Sequence, residues 1–309
     1  MYKLIMKKIT IGSRGSKLSL IYANKVKNLI LESKKDLSSN NIVIQTIKTK
    51  GDIFKDKKIS EIGGKNLFCK EIEANLLNQK IDIAIHSLKD MESVEHNDLV
   101  IGSYIKRNDP RDAFISLKYN KLKELNANTI GSGSRRRELQ LKLINKDIKI
   151  KNIRGNIDTR IEKLHNGSYD GIILALAGLK SLKLEKNVKE IFSLDDVLPS
   201  VGQGVIAAQC RKNDENIKNI LSKIDDFETR QCAIAERTML KTIGGDCNTA
   251  VGGLANFDND KIKLKAQLFS DNGKKVFNYE LIGEKNNPAQ IGKEVGMALL
   301  KLAKKDFLK

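Results

Sequence analysis

The stretch Gly63 to Asp90, GGKNLFCKEIEANLLNQKIDIAIHSLKD, decides how this chain is read. Two glycines open it as a hinged loop. Phe68, Ile72, Leu76 and Leu77 then recur at helical spacing, and Ile81, Ile83 and Ile85 alternate with Asp82 and Ala84 as a strand does. His86, Ser87, Lys89 and Asp90 follow directly. In open α/β sheets, ligands sit beyond the carboxyl ends of strands, so chemistry is expected at this cluster. A single cluster of this kind is equally compatible with a solvated loop, and the flanking sequence has to decide between them.

Upstream, a short strand around Ile9–Ile11 leads to a loop with Arg14 and Ser16. A helix follows with Leu18, Ile21, Val26, Leu29 and Ile30 on its apolar stripe, and IVIQTI (42–47) is a strand. A second unit begins near Arg107. There GSGSRRR (131–137) enters a helix, DIKIKNI (147–153) alternates as a strand ending at Arg154, and Ile157, Ile161 and Leu164 mark another helix. GIILAL (171–176) is a strand buried on both faces. LPSVGQG (198–204) is a return crossing punctuated by Pro199 and two glycines.

After Asn213 the pattern changes. Phe227, Cys232, Ala235, Met239, Leu240 and Ile243 predict a helix stopped by Gly244-Gly245. KIKLKAQLFS (261–270) and KKVFNYEL (274–281) flank the turn Asp271-Asn272-Gly273. Asn287 and Pro288 open a last helix with Ile291, Val295, Leu299 and Leu302 on one face. Alternating strands and helices up to about Ile206 predict wound α/β units, and the remainder a small α+β unit.

Composition narrows the function. The 309 residues carry a net charge of +18, which raises nucleic acid as a partner. The excess, however, is lysine spread along the chain, and aromatics make up only 5% with no Trp, leaving little to stack bases on. Arginines gather in a few loops instead, and a guanidinium fork suits carboxylates or phosphates. Arg14, Arg136, Arg137, Arg154 and Arg160 fall at expected strand ends or helix starts, with Ser132 and Ser134 as hydroxyl donors at one of them. A small acidic ligand is the stronger inference. The four cysteines (Cys69, Cys210, Cys232, Cys247) form no C-x-x-C pair, and the three histidines are scattered, so no metal site is expected. No apolar run approaches the roughly 20 residues that span a bilayer. With no export signal in the opening residues either, a cytoplasmic protein is expected, without membrane or nucleic-acid partners.

The Gly63–Asp90 stretch closely resembles the hydroxymethylbilane synthase (porphobilinogen deaminase) family, through GGKNLFCKEIE and DIAIHSLKD. The resemblance continues in order through IGSRGSKLSL (11–20), TKGD (49–52), RNDPRDAFIS (107–116), IGSGSRRRELQLK (130–142) and IRGNIDTRIEKL (153–164). YDGIILALAGLKSL (169–182), LPSVGQGVIAAQCR (198–211) and ERTMLKTIGGDCNTAVGG (236–253) complete it. It implies two periplasmic-binding-protein-like (type II) wound α/β domains with a cleft between, plus a small C-terminal α+β domain. The corresponding limits are 1–104 with about 205–222, then 105–204, then 223–309.

The resemblance also implies the chemistry. Four porphobilinogen molecules are condensed head to tail to hydroxymethylbilane with loss of ammonia, on a dipyrromethane cofactor that a thioether attaches to Cys247. Asp90 of HSLKD matches the catalytic aspartate. Arg14, Ser16, Lys65, Lys89, Ser132, Ser134, Arg136, Arg137, Arg154, Arg160 and Gln203 match positions that hold the carboxylates of cofactor and substrate. A monomer is expected. Gly133, Arg135, Asp246 and Ala250 depart from the family pattern around these positions. Two rival classes follow from the same residues: a non-catalytic cleft protein for a polyanion, and a basic nucleic-acid-binding protein. Cys247 in a third unit speaks against the first, and the scattered lysines against the second.

Overall fold

A computed structural model describes residues 8–34, 37–49, 51, 69–245 and 249–307. In the first unit, β1 (Ile9–Arg14), α1 (Lys17–Ser33), β2 (Ile42–Ile47), α2 (Lys70–Leu77), β3 (Ile83–Ser87) and β4 (Leu99–Ile105) follow one another. The chain then crosses to β5 (Asp112–Ser116), β6 (Thr129–Gly131), α3 (Arg135–Ile144), β7 (Lys149–Lys151), α4 (Ile157–His165), β8 (Gly171–Ala175), α5 (Leu176–Ser181) and β9 (Val188–Ile191). It crosses back into β10 (Ile206–Arg211) and α6 (Glu215–Ser222).

The two sheets are wound alike. The first has the order β2-β1-β3-β10-β4 and the second β7-β6-β8-β5-β9. In the first, β1 pairs parallel with β2 and β3, while β10 is antiparallel to β3 and β4. In the second, β6 pairs parallel with β7 and β8, while β5 is antiparallel to β8 and β9. The antiparallel strand of each sheet is thus the one that a crossing segment delivers. The carboxyl ends of β1 and β3 and of β6 and β8 are where the strand order reverses, the place such sheets hold ligands. These two wound α/β units are the ones the sequence pattern predicts, and they are the basis on which we propose the domain limits given above.

Apolar periodicity explains the packing. Ile11, Val26, Ile30, Ile83, Ala208 and Leu221 form one core under α1 and α6. Each fully buried Ile or Leu contributes about 1.5–3 kcal/mol relative to exposure. Five details differ from the sequence reading. Ile21 and Leu77 are exposed, and Tyr22 and Ala23 take the inward face of α1 instead. The strand predicted over 147–153 pairs only at Lys149–Lys151, and β3 runs on through His86 and Ser87. Leu302 is half exposed, and Ala303 fills the face predicted for it.

The third unit is the predicted α+β domain. Helix α7 (Phe227–Ile243) ends on Gly244, whose φ of 67° is the left-handed stop. Strands β11 (Val251–Asp258), β12 (Lys261–Phe269) and β13 (Val276–Glu284) form an antiparallel sheet. Helix α8 (Pro288–Ala303) packs against it through Ile291, Val295 and Leu299.

The crossing segments are stitched together. Asn108 donates its backbone N–H to Gly204 O at 2.9 Å. Gly204 has φ +84°, and a Cβ there would lie 2.5 Å from Asn108 O, so only glycine fits. Glu236 of α7, with no exposed surface, accepts from Gly202 N (2.7 Å), Ala255 N (2.8 Å) and Arg107 Nη2 (2.7 Å). One buried carboxylate therefore ties both crossings to the third unit.

Candidate active site

The carboxyl end of β3 sets the centre of the site. Leu88 and Met91 are buried on either side of Lys89 and Asp90, in a single 3₁₀ turn from Leu88 to Asp90. Leu88 N donates to Val205 O at 3.0 Å, and Gly202, at φ +73°, passes so close that a Cβ would lie 2.9 Å from Leu88 Cγ. With the two apolar side chains anchored inward, Lys89 and Asp90 are left to line the cleft between the two wound units, a cavity of about 530 Å³.

The same cavity gathers residues predicted from four separate motifs. Arg14 and Ser16 enter from the end of β1, Arg137 from α3, and Arg154 and Arg160 from the loop before α4 and from α4 itself. Ser16 also caps α1, accepting from Ser19 N at 3.2 Å. Among the described residues of the wall, seven basic side chains (Arg14, Lys17, Lys89, Arg137, Arg154, Arg160, Lys163) face two acidic ones (Asp90, Asp158). Such a wall suits a ligand with several carboxylates. Lys17 and Asp158 pair across one edge of the cleft at 3.5 Å.

Electrostatics here follow burial first. Burial pushes the Lys89 ammonium down to about 8, opposed by Asp90 and Asp112 and reinforced by Arg137 and Arg136. Burial likewise brings Arg160 down to about 10, with Arg137 adding to it, so it remains a cation near neutrality. His86, buried behind the turn, is lowered to about 4 and is neutral.

Other predicted residues have different surroundings. Arg136 does not line the cavity. It is buried, donating to Asp112 Oδ2 (2.8 Å), Gln140 Oε1 (2.9 Å) and Leu198 O (2.6 Å). Ser132 and Ser134 are used in the turn that starts α3: Ser132 Oγ accepts from Ser134 N at 3.3 Å, and Ser134 Oγ accepts from Arg137 N at 3.4 Å. Gln203 sits behind the wall and accepts from Lys89 Nζ at 3.3 Å. Lys65 and Cys247 lie outside the described residues.

Sequence reasoning passed over Asp112. It is fully buried and accepts from Arg136 and Arg137 of α3 and from Gln203. Its trace was present in RNDPRDAFIS, where an acid leads straight into an apolar strand and therefore needs a buried partner.

Fold and site together define a two-lobed protein with a strongly cationic cleft and a carboxylate, Asp90, in its wall. The chain belongs to the porphobilinogen deaminase family. Residues 9–219 match the model of the porphobilinogen deaminase dipyromethane cofactor binding domain, and residues 230–301 that of the porphobilinogen deaminase C-terminal domain. The porphobilinogen deaminase of Francisella tularensis subsp. novicida (strain U112) is 40% identical over 298 residues, covering 96% of this chain and 97% of that protein. That of subsp. tularensis (strain WY96-3418) is 39% identical over the same length. Among solved structures, the Bordetella pertussis BvgS VFT2 domain (double mutant) aligns with a TM-score of 0.42 at 12% identity, covering 71% of this chain and 85% of its own. A substrate binding protein of an amino acid ABC transporter aligns at 0.37 and 16%, covering 76% and 94%.

Proposed function

We propose that this chain is a hydroxymethylbilane synthase, joining four porphobilinogen molecules head to tail and releasing ammonia at each addition. The observation that carries this reading is the placement of Asp90 in one cavity with Arg14, Lys89, Arg137, Arg154 and Arg160. Porphobilinogen brings two carboxylates per ring, and the cationic walls hold them. The C–N bond of its aminomethyl group breaks and the amine leaves as ammonia, and the methylene carbon that stays on the ring is the electrophile attacked by a pyrrole carbon. Positive charge develops on pyrrole nitrogen along that path, so a fixed carboxylate stabilises it more than it stabilises the neutral ring. Asp90 is assigned that role, together with proton movement at the reacting ring.

A dipyrromethane bound through a thioether to Cys247 supplies the pyrrole end on which the chain is built. The cationic wall fits its carboxylates, and Arg14, Lys89, Arg137, Arg154 and Arg160 are the residues assigned to hold them, with Ser16, Lys65 and Gln203 in support. Burial raises the thiols of Cys210 to about 11 and Cys232 to about 12, and that of Cys69 well above the ordinary range, which leaves these three poorly suited to attach it. The same proposal includes a monomer acting in the cytoplasm. Among the described residues no helix is long and apolar enough to cross a membrane.

The test is consumption of porphobilinogen by the purified protein after EDTA treatment. Ammonia and hydroxymethylbilane are expected without added metal or nucleotide. Activity that returned only with a metal would contradict the proposal.

A further inference from the structure

We propose that Asp112 is a positioning residue for both walls of the cleft: it orients Arg137 from one unit and, through Gln203, Lys89 from the other. This rests on the reading of Arg137 and Lys89 as carboxylate-binding groups. Asp112 opens β5, where the chain lands after its first crossing, and none of its surface is exposed. Its Oδ1 accepts from Arg137 Nη2 at 2.6 Å and from Gln203 Nε2 at 2.7 Å, and its Oδ2 from Arg136 Nη2 at 2.8 Å. Gln203 Oε1 in turn accepts from Lys89 Nζ at 3.3 Å.

Two adjacent buried guanidiniums repel unless a carboxylate stands between them. Burial alone would raise the Asp112 carboxyl, but Arg137 and Arg136 hold it far below the usual carboxylate range, so it stays ionised. The cluster of two arginines and one aspartate keeps a net charge of +1 for the ligand. Arg136 turns to Gln140 and Leu198 O, whereas Arg137, held from behind by Asp112 and by Ile173 O at 3.1 Å, is the one that reaches the cavity. Long side chains fixed in advance lose less entropy when a ligand arrives.

The arrangement also has a pH signature. The charged groups acting on Lys89 are Asp90 on its own turn, Asp112 on β5, and Arg136 and Arg137 on α3. Lys89 binds anions only while protonated, so affinity falls as pH rises through about 8. Removing the Asp112 charge favours the neutral amine and moves that fall to lower pH.

The experiment compares the loaded parent with Asp112→Asn/Arg136→Gln, which keeps the cluster at +1, and with Gln203→Leu, which leaves both ion pairs in place. Cofactor occupancy is checked by mass and folding by thermal melting. The double variant is expected to raise KM for porphobilinogen about tenfold or more, the worth of one hydrogen bond to a charged group. Because Asp112 and Arg136 act on Lys89 in opposite senses, the alkaline limb of kcat/KM in this variant should stay near the parent's, which assigns the rise in KM to lost orientation and not to lost charge. Gln203→Leu, which also gives up the bond from Gln203 Nε2 to Pro110 O (2.6 Å), is expected to raise KM while still melting as a folded protein. Parental KM in both variants would make Asp112 a structural counter-ion and overturn the proposal. Arg137→Gln and Lys89→Met serve as references. If they too keep the parental KM, the carboxylate-binding reading of the walls fails, and the positioning role with it. If they raise KM while the other two variants do not, the positioning role alone is wrong.

Discussion

Asp90 is held by what surrounds it in the chain: Leu88 and Met91 are buried, and the backbone of the turn is tied to Val205. Asp90→Asn keeps the size and removes the charge, so substrate binding by the cationic wall should survive. Turnover is expected to fall by several orders of magnitude, each tenfold corresponding to about 1.4 kcal/mol of lost transition-state stabilisation. Asp90→Glu keeps the charge and misplaces it, and should retain more activity than the asparagine variant. Porphobilinogen consumption by fully loaded variants decides it; turnover of Asp90→Asn within tenfold of the parent would remove the carboxylate from the chemistry. Asp90, Lys89, Arg14 and Arg154, which line one cavity, stood out in the sequence because polar residues ending a strand are conspicuous. Asp112 and Glu236 did not. Their partners come from residues 19 to 129 positions away, and no local pattern announces such a contact.

Helix α3 is the element whose reading changes most. Its three consecutive arginines have three fates: Arg135 pairs with Glu138 at the surface, Arg136 is buried on Asp112, and Arg137 reaches the cavity. Helical geometry turns each successive side chain by about 100°, so neighbours in sequence cannot share one environment. Arg136→Leu is therefore expected to cost stability, about 3–5 kcal/mol for breaking a buried ion pair. Arg154→Leu, in the loop before α4, should leave the fold intact and slow cofactor loading or early chain extension. Chemical denaturation and mass-monitored loading of both variants separate the two effects. Equal stability for Arg136→Leu and the parent would contradict the buried pairing. Elements with strong periodicity, such as α7, α8 and β12, were legible except at their ends, where Phe227 and Leu302 are exposed. Strand β7 was overextended because alternation marks a strand's pattern and not where its neighbour stops pairing. Ile21 of α1 was misplaced because a stripe read from apolar residues ignores Tyr22, which is buried in its stead.

At the scale of the molecule, the two sheets repeat one winding, each completed by a strand that arrives through a crossing. The sequence contains no internal repeat, because the two units conserve a topology and not a side-chain pattern. Two things follow from the crossings. The cleft is lined from both sides, and Glu236 fastens its hinge to the unit whose loop contains Cys247. Under the proposed function, a polycarboxylate chain is built in that cleft from a covalent anchor. The most direct measurement is the intact mass of the denatured protein, alone and after brief exposure to porphobilinogen, for the parent and for each cysteine-to-serine variant. Two linked pyrrole units are expected on the parent and on Cys69→Ser, Cys210→Ser and Cys232→Ser, growing by single pyrrole units with substrate, and nothing on Cys247→Ser. A parent whose mass equals its sequence and stays unchanged with porphobilinogen, or an adduct that survives in Cys247→Ser, would contradict the account.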